Sequence, residues 1–117
     1  MEETLGKITI APEVLVTIAQ LTALNTPGVA RLCSGVPARV TQWLGGVALG
    51  NGVQVEVRDN TVAVDLYLVA QRGANLLQLG RKLQEAIARA VEDIVGMPVR
   101  EVNVRIEDVA PEAAEPG

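Results

Sequence analysis

Asp65 and Tyr67 stand two residues apart in the run Val62-Ala63-Val64-Asp65-Leu66-Tyr67-Leu68, where valines and leucines alternate with other residues. In an extended strand that spacing puts the carboxylate and the phenol side by side on one face. Such a pair could transfer a proton. Arg105 holds the matching position in a later alternating run, Val102, Val104 and Ile106, and would lie near them. The same side chains serve equally as a polar recognition surface, or as a solvated face whose charges pair across strands. Small-molecule sites are concave and an open sheet is flat, so recognition of a protein suits this group better than catalysis.

Three other features could carry chemistry. Cys33 sits in an apolar segment with no cation on its C-terminal side. It reads as a small buried hydrophobe more readily than as a reactive thiol. The run Gly45-Gly46-Val47-Ala48-Leu49-Gly50-Asn51-Gly52 invites a phosphate-loop reading. No Gly-Lys-Ser/Thr follows it, however, and a strand comes next where a helix N-terminus is needed. A loose connection is the expectation. The third feature is the stripe Val36, Val40, Trp43, Leu44 and Val47, spaced for one face of a short helix opened by Pro37. Val40, Trp43 and Leu44 would either complete the core or dock on a partner or second copy, since aromatic anchors dominate interfaces. Both readings stand on the sequence.

Missing residues exclude more than those present suggest. The chain has 117 residues, no His and a single Cys. Ser–His and Cys–His pairs cannot form within it, and zinc sets lose their nitrogen ligand. One Cys allows neither an internal disulfide nor a thiolate cluster. No metal or cofactor is expected. The net charge of −4 comes from the tails, which carry Glu2, Glu3, Glu112 and Glu115 and leave the rest neutral. A neutral body lacks the basic excess of a nucleic-acid binder. No apolar run approaches the ~20 residues that span a bilayer. The N-terminus has no signal-peptide layout, and a cytoplasmic protein is expected.

The elements that must position these residues follow from periodicity. Lys7-Ile8-Thr9-Ile10 alternates and predicts a short strand with Ile8 and Ile10 inward. Pro12 and Glu13 open a helix whose apolar residues Val14, Leu15, Ile18, Leu21 and Leu24 recur at helical spacing. Asn25-Thr26-Pro27-Gly28 ends it, and Val29 to Cys33 reads as a short strand. Val53, Val55 and Val57, then Val62, Val64, Leu66 and Leu68, alternate on either side of Asp59-Asn60, a dipeptide that tolerates positive φ. Asn75 caps a long amphipathic helix with Leu76, Leu79, Leu83, Ile87, Val91 and Ile94 on its inner stripe. Gly96 and Pro98 stop it before the last strand.

Each strand has one apolar face, so helices should cover one side of the sheet and leave the other wet. The expected fold is α+β, a two-layer sandwich of a mostly antiparallel sheet with two main helices on one face. Residues 1–4 form an N-terminal tail, 5–109 a single domain, and 110–117 a disordered acidic tail.

Several stretches, taken in order, resemble the alkaline shock protein family of bacteria, the Gls-type envelope stress proteins. They include Gly6-Lys7-Ile8-Thr9-Ile10-Ala11-Pro12-Glu13-Val14, Pro27-Gly28-Val29, Gly52-Val53-Gln54-Val55-Glu56-Val57 and Val62 to Val69. Toward the end come Leu83-Gln84-Glu85-Ala86-Ile87, Gly96-Met97-Pro98-Val99 and Glu101-Val102-Asn103-Val104. The resemblance covers residues 5 to 109 and implies a non-enzymatic cytoplasmic protein of cell-envelope homeostasis, held in some members at the membrane through a separate anchor protein. It also implies, for certain relatives, control of fatty-acid synthesis through acetyl-CoA carboxylase. No catalytic residues carry over from it. The leading expectation is a scaffold module that binds a protein partner and forms homo-oligomers. It would work through Asp65, Tyr67 and Arg105 on the sheet and Val40, Trp43 and Leu44 on the stripe. A KH-like RNA module is a weaker alternative, because the sequence has no GXXG clamp and only Tyr67 on the sheet to stack a base.

Overall fold

The hairpin between Val53 and Ala70 organises the sheet. Its strands, β3 (Val53–Arg58) and β4 (Thr61–Ala70), pair antiparallel from Val53–Leu66 to Arg58–Thr61. Asp59 and Asn60 close it with φ of 51° and 64°. Two positive φ values make a primed turn, whose twist matches that of the flanking strands. The Thr61 hydroxyl reinforces the turn by donating to the Arg58 carbonyl at 2.7 Å. In this computed structural model the described residues are 5–34 and 47–111.

Strand β4 is the spine of the sheet. β5 (Val99–Val109) lies along one edge in parallel, which the intervening helix α2 (Leu76–Ile94) makes possible. Register shifts interrupt that pairing between Val62 and Ala63 and between Leu68 and Val69. The stretch from Ala63–Glu101 to Leu68–Ile106 is regular. Along the other edge β4 meets two strands in succession, β3 and then β1 (Val29–Leu32), both antiparallel. Tyr67 is the handover: its amide donates to Gly52 at 2.8 Å, and its carbonyl accepts from the Cys33 amide at 3.0 Å. β2 (Val47–Gly50) pairs with the outer side of β3. The sheet is thus mostly antiparallel with one parallel pair, and the α+β sandwich holds.

Both helices cover one face. The inner row of β4 (Val62, Val64, Leu66, Leu68, Ala70) is fully buried with Val53 and Val55, and Val102 is buried beside it. Against it lie Leu79, Leu83, Ile87 and Val91 of α2 and Leu15, Val16, Ala19 and Ala23 of α1 (Pro12–Leu24). Asn75 caps α2 as expected, its side chain accepting from the Gln78 amide at 3.0 Å. Gly96 ends it at φ 84°. The expected ends of the inner stripe, Leu76 and Ile94, are exposed.

Three expectations need correction. The inward face of α1 holds Leu15, Val16, Ala19 and Ala23, while Val14, Leu21 and Leu24 face out. Small Ala19 and Ala23 let the helix approach its neighbours closely; the larger residues sit where there is room. The glycine-rich run is a strand from Val47 onward, not a loose connection. Its glycines serve packing: a Cβ on Gly50 would stand 2.5 Å from the Val16 Cγ1, so β2 lies tight against α1. Lys7–Ile10 pairs with no strand among the described residues, and Ile8 is 93% exposed. The alternation is there, but no sheet edge among the described residues meets it. The stripe residues Val36, Val40, Trp43 and Leu44 lie outside the described residues.

Candidate functional site: the polar sheet face

Strand pleating sends alternate residues of each strand to the side away from the helices. On β4 these are Ala63, Asp65, Tyr67 and Val69; register places Gln54 beside Asp65 and Glu56 beside Ala63. On the other side register aligns Glu101 with Ala63, Asn103 with Asp65 and Arg105 with Tyr67. Asp65, Tyr67 and Arg105 therefore share one surface. Lys7 and Thr9, expected on the same face, do not join it, because their segment is not part of the sheet.

The side chains of this surface engage one another laterally. The Arg105 guanidinium lies 5.7 Å from the centroid of the Tyr67 ring, within cation–π range. Asp65 accepts from the Asn103 amide at 2.8 Å, and the same amide donates to Glu101 at 3.2 Å. Asp65 and Tyr67 thus have different partners on β5.

Farther along, Arg100 donates to the Thr61 hydroxyl at 2.9 Å and to Glu56 at 3.1 Å, bridging three strands. Ala63 makes that crossing feasible, since it lies between Glu56 and Glu101 in register and carries only a methyl group. Sequence reasoning did not single out Arg100. It sits where the β4–β5 register shifts, an irregularity that no alternation pattern displays.

Cys33 continues the line of β1 beside Tyr67 and is half-buried. Burial pushes its thiol up from the ordinary range; the Glu107 carboxylate adds to this, Arg31 opposes it, and Asp108 adds a little more. A thiol held protonated is a poor nucleophile. The three surface grooves described are lined elsewhere: one by α2 alone, one by α2 with β5, and one by α2 with the loops near Gly28 and Gly73. Among the described residues no helix is long and apolar enough to cross a membrane.

A one-sided sandwich whose open face is polar and laterally paired narrows the role without naming a lineage. The match that decides it covers residues 1–111 and is to a family of cell envelope-related function. The chain belongs to the alkaline shock protein family. Among curated relatives, YqhY of Bacillus subtilis (strain 168) is 31% identical over 102 residues, covering 87% of this chain and 76% of its own. Spy1535 of Streptococcus pyogenes serotype M6 is 27% identical over 111 residues, covering 94% of this chain and 84% of its own. Among solved structures, the zinc form of a MamM CTD variant superposes with a TM-score of 0.49 at 14% identity, over 87% of this chain and 90% of that one.

Proposed function

We propose that this alkaline shock family chain is a non-catalytic scaffold module of the cell envelope stress response. It binds a protein partner through its polar sheet face and associates with further copies of itself. The observation that supports this reading is lateral pairing. Asp65 with Asn103, Tyr67 with Arg105, and Glu56 with Arg100 spread along three strands and point at no common centre. A substrate needs convergent groups in a concavity; a protein surface needs a firm, flat array of donors, acceptors and an aromatic ring. The side chains are already held in place, so docking orders few of them and forfeits little entropy. The module works in the cytoplasm and reaches the membrane through a partner such as an anchor protein.

Affinity capture from native lysate tests this, with the native chain and a Tyr67→Ala/Arg105→Glu chain as parallel baits. A membrane-anchored envelope protein held by the native bait and lost from the variant supports the reading. Recovery of an acetyl-CoA carboxylase subunit in its place would move the role to control of fatty-acid synthesis. Equal recovery on both baits would remove the sheet face from the interaction.

A further inference from the structure

The segment Leu5–Ile10 has the sequence of a strand but pairs with nothing among the described residues, and among those residues no strand covers the outer edge of β5, where the Gln84 side chain donates to the Val102 carbonyl at 3.1 Å. The edge is regular between the two register shifts, from Glu101 to Ile106, six residues long. Beside it a groove of about 520 Å³ opens between β5 and α2, lined by Leu76, Leu77, Val104 and Ile106 with Arg81 and Gln84 at its helical wall. The groove is open at Gly80, where a Cβ would meet no atom within 4 Å. Leu77 is 66% exposed. Six residues also run from Leu5 to Ile10, so segment and edge match in length.

We propose that Lys7–Ile10 of a second copy adds as a strand to the free edge of β5, with Ile8 and Ile10 in the groove. Pleating that turns Ile8 and Ile10 toward Val104 and Ile106 turns Lys7 and Thr9 to the polar side. Lys7 is the only charged residue between Leu5 and Pro12. An antiparallel arrangement that sets Ile8 beside Ile106 and Ile10 beside Val104 brings Lys7 to Glu107.

The segment cannot reach this edge of its own chain. α1 begins at Pro12 and packs over β1, β2 and β3, whereas the groove lies between α2 and β5. Only Ala11 separates Ile10 from Pro12, so two residue steps give a reach of about 7 Å. The width of α2, roughly 10 Å with its side chains, stands between. The occupant is therefore another molecule.

This inference rests on the self-association in the reading above, and sedimentation equilibrium separates the two. The native chain should form a dimer or larger assembly at micromolar concentration. Ile8→Glu/Ile10→Glu should weaken association by about tenfold or more, and Leu77→Glu should do the same from the groove side. All three positions are exposed, so far-ultraviolet circular dichroism should remain native. Mixing the two variants should restore partial association, because one chain keeps its groove and the other its strand. A native assembly that both variants leave intact overturns strand addition and spares self-association. A native chain that stays monomeric overturns both.

Discussion

The Tyr67 amide donates to the Gly52 carbonyl at 2.8 Å, one step beyond the point where the Tyr67 carbonyl accepts from Cys33. Two strands thereby share one edge of β4, and Gly52 fills the junction. A Cβ on Gly52 would stand 2.8 Å from both the Leu32 Cβ and the Tyr67 carbonyl oxygen, and the residue holds φ at 72°. Gly52→Ala should therefore cost about 2–4 kcal/mol, combining a strained φ with a backbone clash. Urea denaturation monitored by circular dichroism would measure it. A loss under half a kcal/mol would mean that the junction can spread.

Arg105 is exposed and contributes an aromatic contact at a solvated site, worth about 0.5–1 kcal/mol. Arg105→Ala should move the unfolding free energy by no more than that. Its effect should fall on partner capture. Stability lost well beyond that range would assign Arg105 to the framework and not to recognition.

The Cys33 thiol is raised in the folded chain, chiefly by burial. Between its ordinary and its raised value, the folded chain holds a proton that the unfolded chain has released. Stability from this group is therefore complete below the ordinary thiol range and falls as pH climbs through it. Alkylation of the folded chain should lag behind that of the unfolded chain at mildly alkaline pH. Glu107→Gln should quicken it, and Arg31→Gln should slow it further. Equal alkylation rates for folded and unfolded chains would contradict the placement of Cys33.

Much of the fold was legible because two signals rarely deceive. Period-two valines around Asp59-Asn60 specify β3 and β4, and the 3.6-residue stripe of α2 specifies the helix. Where reading failed, the sequence was ambiguous for a physical reason. α1 is apolar on nearly every side, so Val14 and Leu21 look as fit for the core as Leu15; the decision lay with Ala19 and Ala23, whose small size allows close packing. β2 hid behind glycines that propensity reads as loop, although Gly50 is there because Val16 leaves no room for a Cβ.

The candidate site divides in the same way. Asp65, Tyr67 and Arg105 were placed on one face by alternation alone. Arg100 was not, since its reach to Glu56 depends on a register shift and on the small Ala63 beneath it.

That the polar sheet face is the protein-binding surface can be measured directly by site-specific photo-cross-linking in native lysate. A benzoylphenylalanine replaces Gln54, which lies beside Asp65 on the sheet, or Glu85, which is exposed on α2. Binding through the sheet predicts a discrete heterologous adduct from position 54 and none from position 85. An adduct from position 85 alone would place the partner on the helical side and contradict the proposal.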